Sequence, residues 1–102
     1  MLNYLEIQNA YEDLYLHLSR YFWKYDVILA LADLESEAFK VMPSLESLTK
    51  KLSYLRSQVN NYQIEDEEVS ESFDKFFDLI KDQNSTYAKL VFPGRLTSIE
   101  NI

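Results

Sequence analysis

Apolar side chains recur along most of this chain at alternating intervals of three and four residues, which is the spacing of one face of an α-helix. The most regular of these stripes consists of Leu45, Leu48, Leu52, Leu55, Val59 and Tyr62. Ser44 is a suitable N-cap immediately before the stripe, and the pair Asn60-Asn61 is a stop signal near its end. The pattern predicts a helix that begins after Ser44 and stops near Asn60.

Two other stripes lie before this one. The first consists of Ile7, Tyr11, Leu14, Leu18, Tyr21 and Tyr25, and the second of Val27, Leu31, Leu34, Ala38 and Val41. Because the two stripes are out of phase, we expect the chain to break or bend between Arg20 and Val27. Asp26 is predicted to cap the second helix, and Pro43 to end it, because the residue before a proline avoids the α conformation.

A fourth helix is predicted to start in the acidic run 65–68, since negative charge is favourable at a helix N-terminus. Its predicted buried face consists of Val69, Phe73, Phe76, Phe77 and Ile80. Residues 82–86 are predicted to break this helix, and residues 87–92 to form a short extra turn before Pro93-Gly94. Residues 96–102 then form a tail with Leu96 and Ile99 as apolar anchors.

The scarcity of turn residues decides the fold class. One glycine and two prolines in 102 residues are too few for a β-sandwich or β-barrel, and 47% hydrophobic residues are too many for a disordered chain. Short loops between four helices imply antiparallel neighbours. We predict a single all-α domain over residues 1–102, an antiparallel up-down-up-down four-helix bundle with a short irregular or helical C-terminal tail.

Several function classes are excluded or disfavoured by composition. Without cysteine, the chain has no disulfide, thiolate metal site or cysteine nucleophile. A net charge of −7 disfavours nucleic-acid binding, because phosphate backbones are negative too. The N-terminus lacks the pattern of a signal peptide, and the longest apolar run, 27–32, is far too short to cross a membrane. We expect a cytoplasmic protein without direct membrane insertion.

His17 is the first candidate for chemistry, either as a phosphotransfer histidine with Arg20 one turn away or as an ordinary half-buried helix residue. Phosphotransfer bundles leave the imidazole open with a glycine four residues later, where this chain has the bulky Tyr21. The pair Glu68 and Glu71 starts a Mg²⁺ site or simply caps a helix, and no second acidic motif on another helix completes such a site. We therefore expect no catalytic residues, metal or cofactor, and no enzyme activity.

Aromatic residues are concentrated at positions 21–25. Such side chains either pack in the core or contact a partner at the surface. Tyr21 and Tyr25 are predicted to lie in the core. Phe22 and Trp23 are candidates for surface or partner contact.

The C-terminal segment 87–96 mixes apolar and basic residues in an otherwise acidic chain. It either folds back over the open end of the bundle or forms a recognition segment with Lys89 and Arg95 as exposed cations. The residues predicted to bind a partner are Tyr87, Lys89, Phe92, Arg95, Leu96 and Ile99.

The whole chain resembles the small bacteriocin immunity proteins of the pediocin-like group, of the enterocin A immunity type. The resemblance rests on about 100 residues without cysteine, four helix patterns and the run from Pro43 to Arg56. It implies a cytosolic, non-enzymatic bundle that protects its producer from a membrane-permeabilising peptide. The implied partner is the cognate bacteriocin together with a membrane sugar-transport receptor, and recognition is associated with the C-terminal half, here from about Leu52.

One feature departs from many members of that family, which are neutral or basic. Residues 1–51 carry a net charge of −3 and residues 52–102 a net charge of −4. Adsorption to an anionic membrane is thereby disfavoured, and recognition of a cationic peptide or basic receptor loop is favoured. We expect a monomer or weak dimer. The competing hypotheses are a helical adaptor and a phosphotransfer module that uses His17.

Overall fold

A computed structural model describes the backbone of residues 4–91 and the side chains of residues 4–83. Helix α1 spans Tyr4–Leu18, α2 Tyr25–Ala38, α3 Leu45–Asn61 and α4 Glu67–Val91, and a single 3-10 turn, Ser19–Tyr21, follows α1. The described backbone contains no strand. The predicted all-α four-helix bundle is therefore confirmed.

Contacts between the helices define their directions and order. The start of α1 meets the later part of α4 through Glu6 and Gln83, whereas its end meets the start of α4 through His17 and Glu68. The packed pairs are α1 with α2, α2 with α3, α3 with α4 and α4 with α1. Successive helices thus run antiparallel around one core.

The predicted stripes supply that core. Its buried members are Ile7, Tyr11, Leu14, Leu18, Val27, Ala30, Leu31, Leu34, Ala38, Leu48, Leu52, Leu55, Val59, Val69, Phe73, Phe76 and Ile80. The partly buried residues Leu45, Tyr62 and Phe77 pack at its margins. The spacing therefore located the buried face of all four helices.

The join between α1 and α2 differs from the prediction in two residues. Tyr25 is wrong as a core residue, because it is 69% exposed as the first residue of α2, where the register of α1 no longer applies. Asp26 is wrong as the N-cap: Lys24 occupies that position without a side-chain cap, and Asp26 instead accepts a hydrogen bond from the Tyr62 hydroxyl at 2.8 Å. The predicted break between the helices is confirmed, and Tyr21 is half-buried.

Helix α2 also ends earlier than predicted. It stops at Ala38, and Phe39 is the C-cap, with its N–H donating to Glu35 O at 3.1 Å. Val41 therefore lies beyond the helix and is 85% exposed, so its predicted place in the buried stripe is wrong. The predicted N-cap of α3 is confirmed, since Ser44 Oγ accepts from Ser47 N–H at 3.2 Å.

Helix α4 is continuous where a break at residues 82–86 was predicted. The stretch from Glu67 to Val91 contains no proline or glycine, and the polar residues near Gln83 disfavour a helix only weakly. The predicted start is confirmed: Asp66 Oδ1 accepts from the N–H groups of Glu68 at 3.0 Å and Val69 at 3.3 Å. The predicted turn at 87–92 is part of α4 as far as Val91, and the tail lies outside the described residues.

The turn after α3 offers a stabilising substitution. Gln63 has a φ of 56°, a left-handed conformation that disfavours residues with a Cβ, and its N–H donates to Asn60 O at 2.9 Å. We expect Gln63→Gly to raise the free energy of unfolding by about 1 kcal/mol. Urea denaturation followed by circular dichroism measures this, with Gln63→Ala as the matched control. An equal gain for the alanine variant would show that the backbone conformation is not the cause.

Candidate functional site

A polar network centred on His17 links α1 to α4. His17 Nδ1 lies 2.7 Å from Ser72 Oγ, and Nε2 lies 3.1 Å from Glu68 Oε2. Ser72 is buried and donates to Asp13 Oδ2 at 3.0 Å. The network continues outward to Arg20, whose guanidinium meets Glu68 at 3.5 Å and Asp66 at 3.0 Å.

The hydrogen-bond donors in this network fix the role of the imidazole. A serine hydroxyl has one proton, and Ser72 gives it to Asp13, so His17 Nδ1 must donate to Ser72 Oγ. On the other side of the ring, Nε2 faces the Glu68 carboxylate. The imidazole therefore lies between two polar partners on α4, Ser72 at one ring nitrogen and Glu68 at the other.

These contacts of His17 can be compared with those that a phosphotransfer histidine requires. A phosphotransfer histidine attacks with a ring nitrogen that carries no proton, whereas both nitrogens here have carboxylate or hydroxyl partners. Arg20, the predicted phosphate partner, is held by Asp66 and Glu68. The network therefore fits a tie between helices and does not favour phosphotransfer.

Hydrogen bonds at the start of α4 stabilise the ionised form of Asp66. Burial opposes its charge, but donation from the Tyr21 hydroxyl at 3.0 Å and from the N–H groups of Val69 and Glu68 outweighs burial and lowers the pKa of Asp66. The same bond raises the pKa of Tyr21, because deprotonation would place two negative charges together. Within the described side chains, no cluster of three or more His, Asp or Glu residues is placed to hold a metal ion, Glu68 and Glu71 included.

A buried carboxylate ties α2 to α3. Glu37 is only 3% exposed and accepts three hydrogen bonds at 3.0 Å, from Ser44 N–H, Ser47 Oγ and Lys40 Nζ. Burial alone would raise the pKa of Glu37, but these three donors outweigh it and hold that pKa below its usual value. Glu37 therefore has a structural role, and sequence reasoning did not single it out.

An apolar groove lies between α1 and α2, and we call it the aromatic groove. Its volume is about 260 Å³, and it is lined by Tyr11, Tyr15, Phe22, Ile28, Leu31, Ala32 and Glu35. The rings pack in a row: Tyr15 lies 5.0 Å from Phe22 and 6.1 Å from Tyr11, between ring centroids. Glu35 Oε2 accepts from the Tyr11 hydroxyl at 2.7 Å, and burial together with this bond raises the pKa of Tyr11.

A second depression, of about 420 Å³, lies between α3 and α4. Its apolar lining comes from Leu45, Phe77 and Ile80, but Glu46, Asp78 and Lys81 bring both signs of charge to it. Glu46 is moreover paired with Lys50 at 3.1 Å. Because of this mixed polar lining, we take the aromatic groove as the candidate binding site.

Two residues of the aromatic run at 21–25 differ in their environment. Trp23 is exposed, as predicted, and Lys24 Nζ lies 3.4 Å from the centre of its ring. Phe22, also a predicted surface candidate, is half-buried and lines the groove.

The residues predicted to bind a partner lie toward the C-terminal end of the chain. The backbone of Tyr87 and Lys89 belongs to α4, and their side chains lie outside the described residues. Phe92, Arg95, Leu96 and Ile99 lie wholly outside them. Their role in binding stays a prediction.

None of the helices in the described part of the chain combines the length and the apolar character that crossing a membrane requires. No protein-family model, curated protein or solved structure matches the chain. Functional inference therefore rests on the fold, on the two surfaces described above and on the sequence resemblance.

Proposed function

We propose that this protein is a non-enzymatic bacteriocin immunity protein. It protects the producing cell from a membrane-permeabilising peptide by engaging the peptide–receptor complex from the cytosol. The observation that carries the proposal is an antiparallel four-helix bundle, the fold that the resemblance implies, with an exposed aromatic groove on an acidic face. A concave apolar site with a few polar groups is typical of a binding protein.

The proposed partner is the cognate bacteriocin together with a membrane sugar-transport receptor. The net charge of −7 makes adsorption to anionic lipid unfavourable, so the protein reaches the inner face of the membrane through a protein receptor. It acts in the cytoplasm as a monomer or weak dimer and needs no cofactor.

Expression in a bacteriocin-sensitive strain tests the proposal. Cells that carry the gene and cells with an empty vector are exposed to a panel of pediocin-like and two-peptide bacteriocins. We expect survival against one peptide, or a small group of related peptides, only in cells that express the chain. Equal killing of both strains by every peptide, with expression confirmed, would contradict the proposal.

The C-terminal recognition segment has its own test. Deleting residues 94–102 is expected to abolish protection and leave the helical circular dichroism signal in place, because the deletion removes Arg95, Leu96 and Ile99 and leaves all four helices. Alanine at Thr97 and Ser98 in the full-length chain is the control. Full protection by the truncated chain would show that the last nine residues, 94–102, are not needed for recognition.

A helical adaptor is the second candidate, and the same groove favours it, since helix-docking proteins present an apolar groove between two helices. The panel separates the two functions. An adaptor protects cells against no peptide in the panel, whereas an immunity protein protects selectively.

A further inference from the structure

Exposed apolar side chains are concentrated on one part of this molecule. Of the twelve large hydrophobic residues that are exposed among the described side chains, eleven lie between Tyr4 and Met42, and Tyr54 on α3 is the exception. Those on α1 and α2 are Tyr4, Leu5, Tyr15, Leu16, Tyr25, Ile28 and Leu29. Two of them, Tyr15 on α1 and Ile28 on α2, line the aromatic groove.

Apart from His17, the ionisable Asp, Glu, Lys, Arg and His residues of the same two helices are all acidic. Helix α1 contains three Asp or Glu residues and α2 contains four, whereas neither contains a lysine or arginine. On other faces some acidic groups are paired with cations, as in Asp74 with Arg56 at 2.9 Å and Asp33 with Lys51 at 2.9 Å.

At the groove itself the carboxylates have no cation. Glu35 lines the groove and is bonded to the Tyr11 hydroxyl. Glu12 lies one turn before Tyr15 on the same side of α1 and has no ion pair among the described residues. Negative charge therefore flanks the groove from α1 and from α2.

A groove between two antiparallel helices has the shape that receives a third helix. Such a helix places apolar residues at positions i, i+3, i+4 and i+7 in the groove, and its basic residues beside these anchors reach the flanking carboxylates. An acidic ligand is disfavoured there by Glu12 and Glu35, and so is an anionic membrane. Charge and shape together select a cationic, amphipathic helix.

We propose that the aromatic groove binds a cationic amphipathic helix, with the apolar face of the helix against Tyr15 and Ile28 and its Lys or Arg residues against Glu12 and Glu35. The inference rests on the proposed function for the identity of the natural ligand: membrane-permeabilising peptides commonly combine a basic and an apolar face. The groove then recognises the basic helix of the toxin itself.

The probe for this test is a synthetic amphipathic helix of about 18 residues built from leucine and lysine, labelled for fluorescence anisotropy. Its matched counterpart carries glutamate in place of lysine. We expect the lysine probe to bind the wild-type chain with a Kd of about 1–100 μM, weakened by added salt, and the glutamate probe not to bind. Absence of binding by the lysine probe overturns the proposal.

Two pairs of variants locate the binding. Ile28→Ser in the groove is expected to raise the Kd about tenfold, whereas Tyr54→Ser on α3 changes it less than about twofold. The double variant Glu12→Gln with Glu35→Gln keeps an acceptor for the Tyr11 hydroxyl and is also expected to raise the Kd about tenfold. Its control, Glu71→Gln with Asp78→Asn on α4, removes the same charge elsewhere. Equal weakening by both double variants would mean non-specific attraction and overturn the proposal.

A second copy of the chain is the rival occupant. Sedimentation equilibrium tests this occupant. If the wild-type chain is a dimer and the Ile28→Ser variant is a monomer, the groove serves self-association and the proposal is overturned. The binding test is independent of immunity: protection in cells without binding of the lysine probe contradicts only this inference. Binding without protection contradicts the proposed function and leaves the groove as a helix-binding site.

Discussion

Replacing Glu37 by alanine is expected to lower the free energy of unfolding by about 3 kcal/mol, because the substitution removes a buried carboxylate that accepts three hydrogen bonds. Two of these donors, Ser44 N–H and Ser47 Oγ, belong to the start of α3, whereas Glu37 lies near the end of α2. Loss of the carboxylate therefore loosens the connection between the two helices. Urea denaturation at neutral pH measures the change.

Glu71→Ala is the matched control for this prediction, since Glu71 is an exposed carboxylate on α4. This substitution is expected to change the free energy of unfolding by less than about 0.5 kcal/mol. Equal effects of the two substitutions would show that the buried hydrogen bonds contribute nothing.

The Glu37 effect is also expected to depend on pH. The pKa of Glu37 is lowered in the folded state, so its contribution is complete above the unfolded-state pKa of about 4 and is lost as the pH falls through the lower, folded-state pKa. The difference in stability between the wild-type chain and Glu37→Gln should therefore shrink in acid. A difference that grows below pH ~4 would contradict the direction of the pKa shift.

Replacing Phe76 by alanine is expected to lower the free energy of unfolding by about 3–5 kcal/mol. Phe76 lies on α4 and is fully buried in the core, and alanine leaves a cavity that the surrounding helices fill only in part. The total free energy of unfolding of a domain of this size is about 5–15 kcal/mol, so the variant should unfold at a much lower urea concentration than the wild-type chain.

Phe77→Ala is the internal control for Phe76, because the neighbouring ring is only partly buried at the margin of the core. Its expected loss is about 1–2 kcal/mol, since much of the ring already contacts water. A larger loss for Phe77→Ala than for Phe76→Ala would mean that the assignment of the buried face of α4 is wrong.

Local patterns were sufficient to predict most of the fold. The stripe from Leu48 to Val59 has a single helical register, and Ser44 caps it through a contact three residues away. Such features depend on residues within one or two turns, so sequence spacing alone identifies them. The buried face of α4 followed for the same reason.

The sequence-based predictions were wrong where a local pattern was compatible with two conformations or did not include a contact with another helix. The spacing that includes Tyr25 fits the register of α1, but the 3-10 turn after Leu18 resets that register before α2 starts. Polar residues at 82–86 resemble a loop, yet without proline or glycine they stay within α4. Glu37 was not recognised because its burial depends on donors from the start of α3, which no pattern within α2 reveals.

The candidate site was predicted from the sequence only in part. Reasoning from composition directed attention to Lys89 and Arg95, where basic residues stand out in an acidic chain, and to the aromatic residues Phe22 and Trp23. The aromatic groove depends on how α1 packs against α2, so Tyr15 and Ile28 could not be assigned to it from spacing. One usable signal was present: two successive helices contain no lysine or arginine and carry more apolar residues than one buried stripe requires.

The concentration of bacteriocin that inhibits a sensitive strain tests the proposed immunity function most directly. It is compared between cells that express the wild-type chain and cells that express Phe76→Asp, a variant unfolded by a charge in the core. We expect a higher inhibitory concentration for one peptide, or a small group of related peptides, with the wild-type chain and no change with the variant. The proposal is contradicted if the expressed wild-type chain raises that concentration for no peptide in the panel.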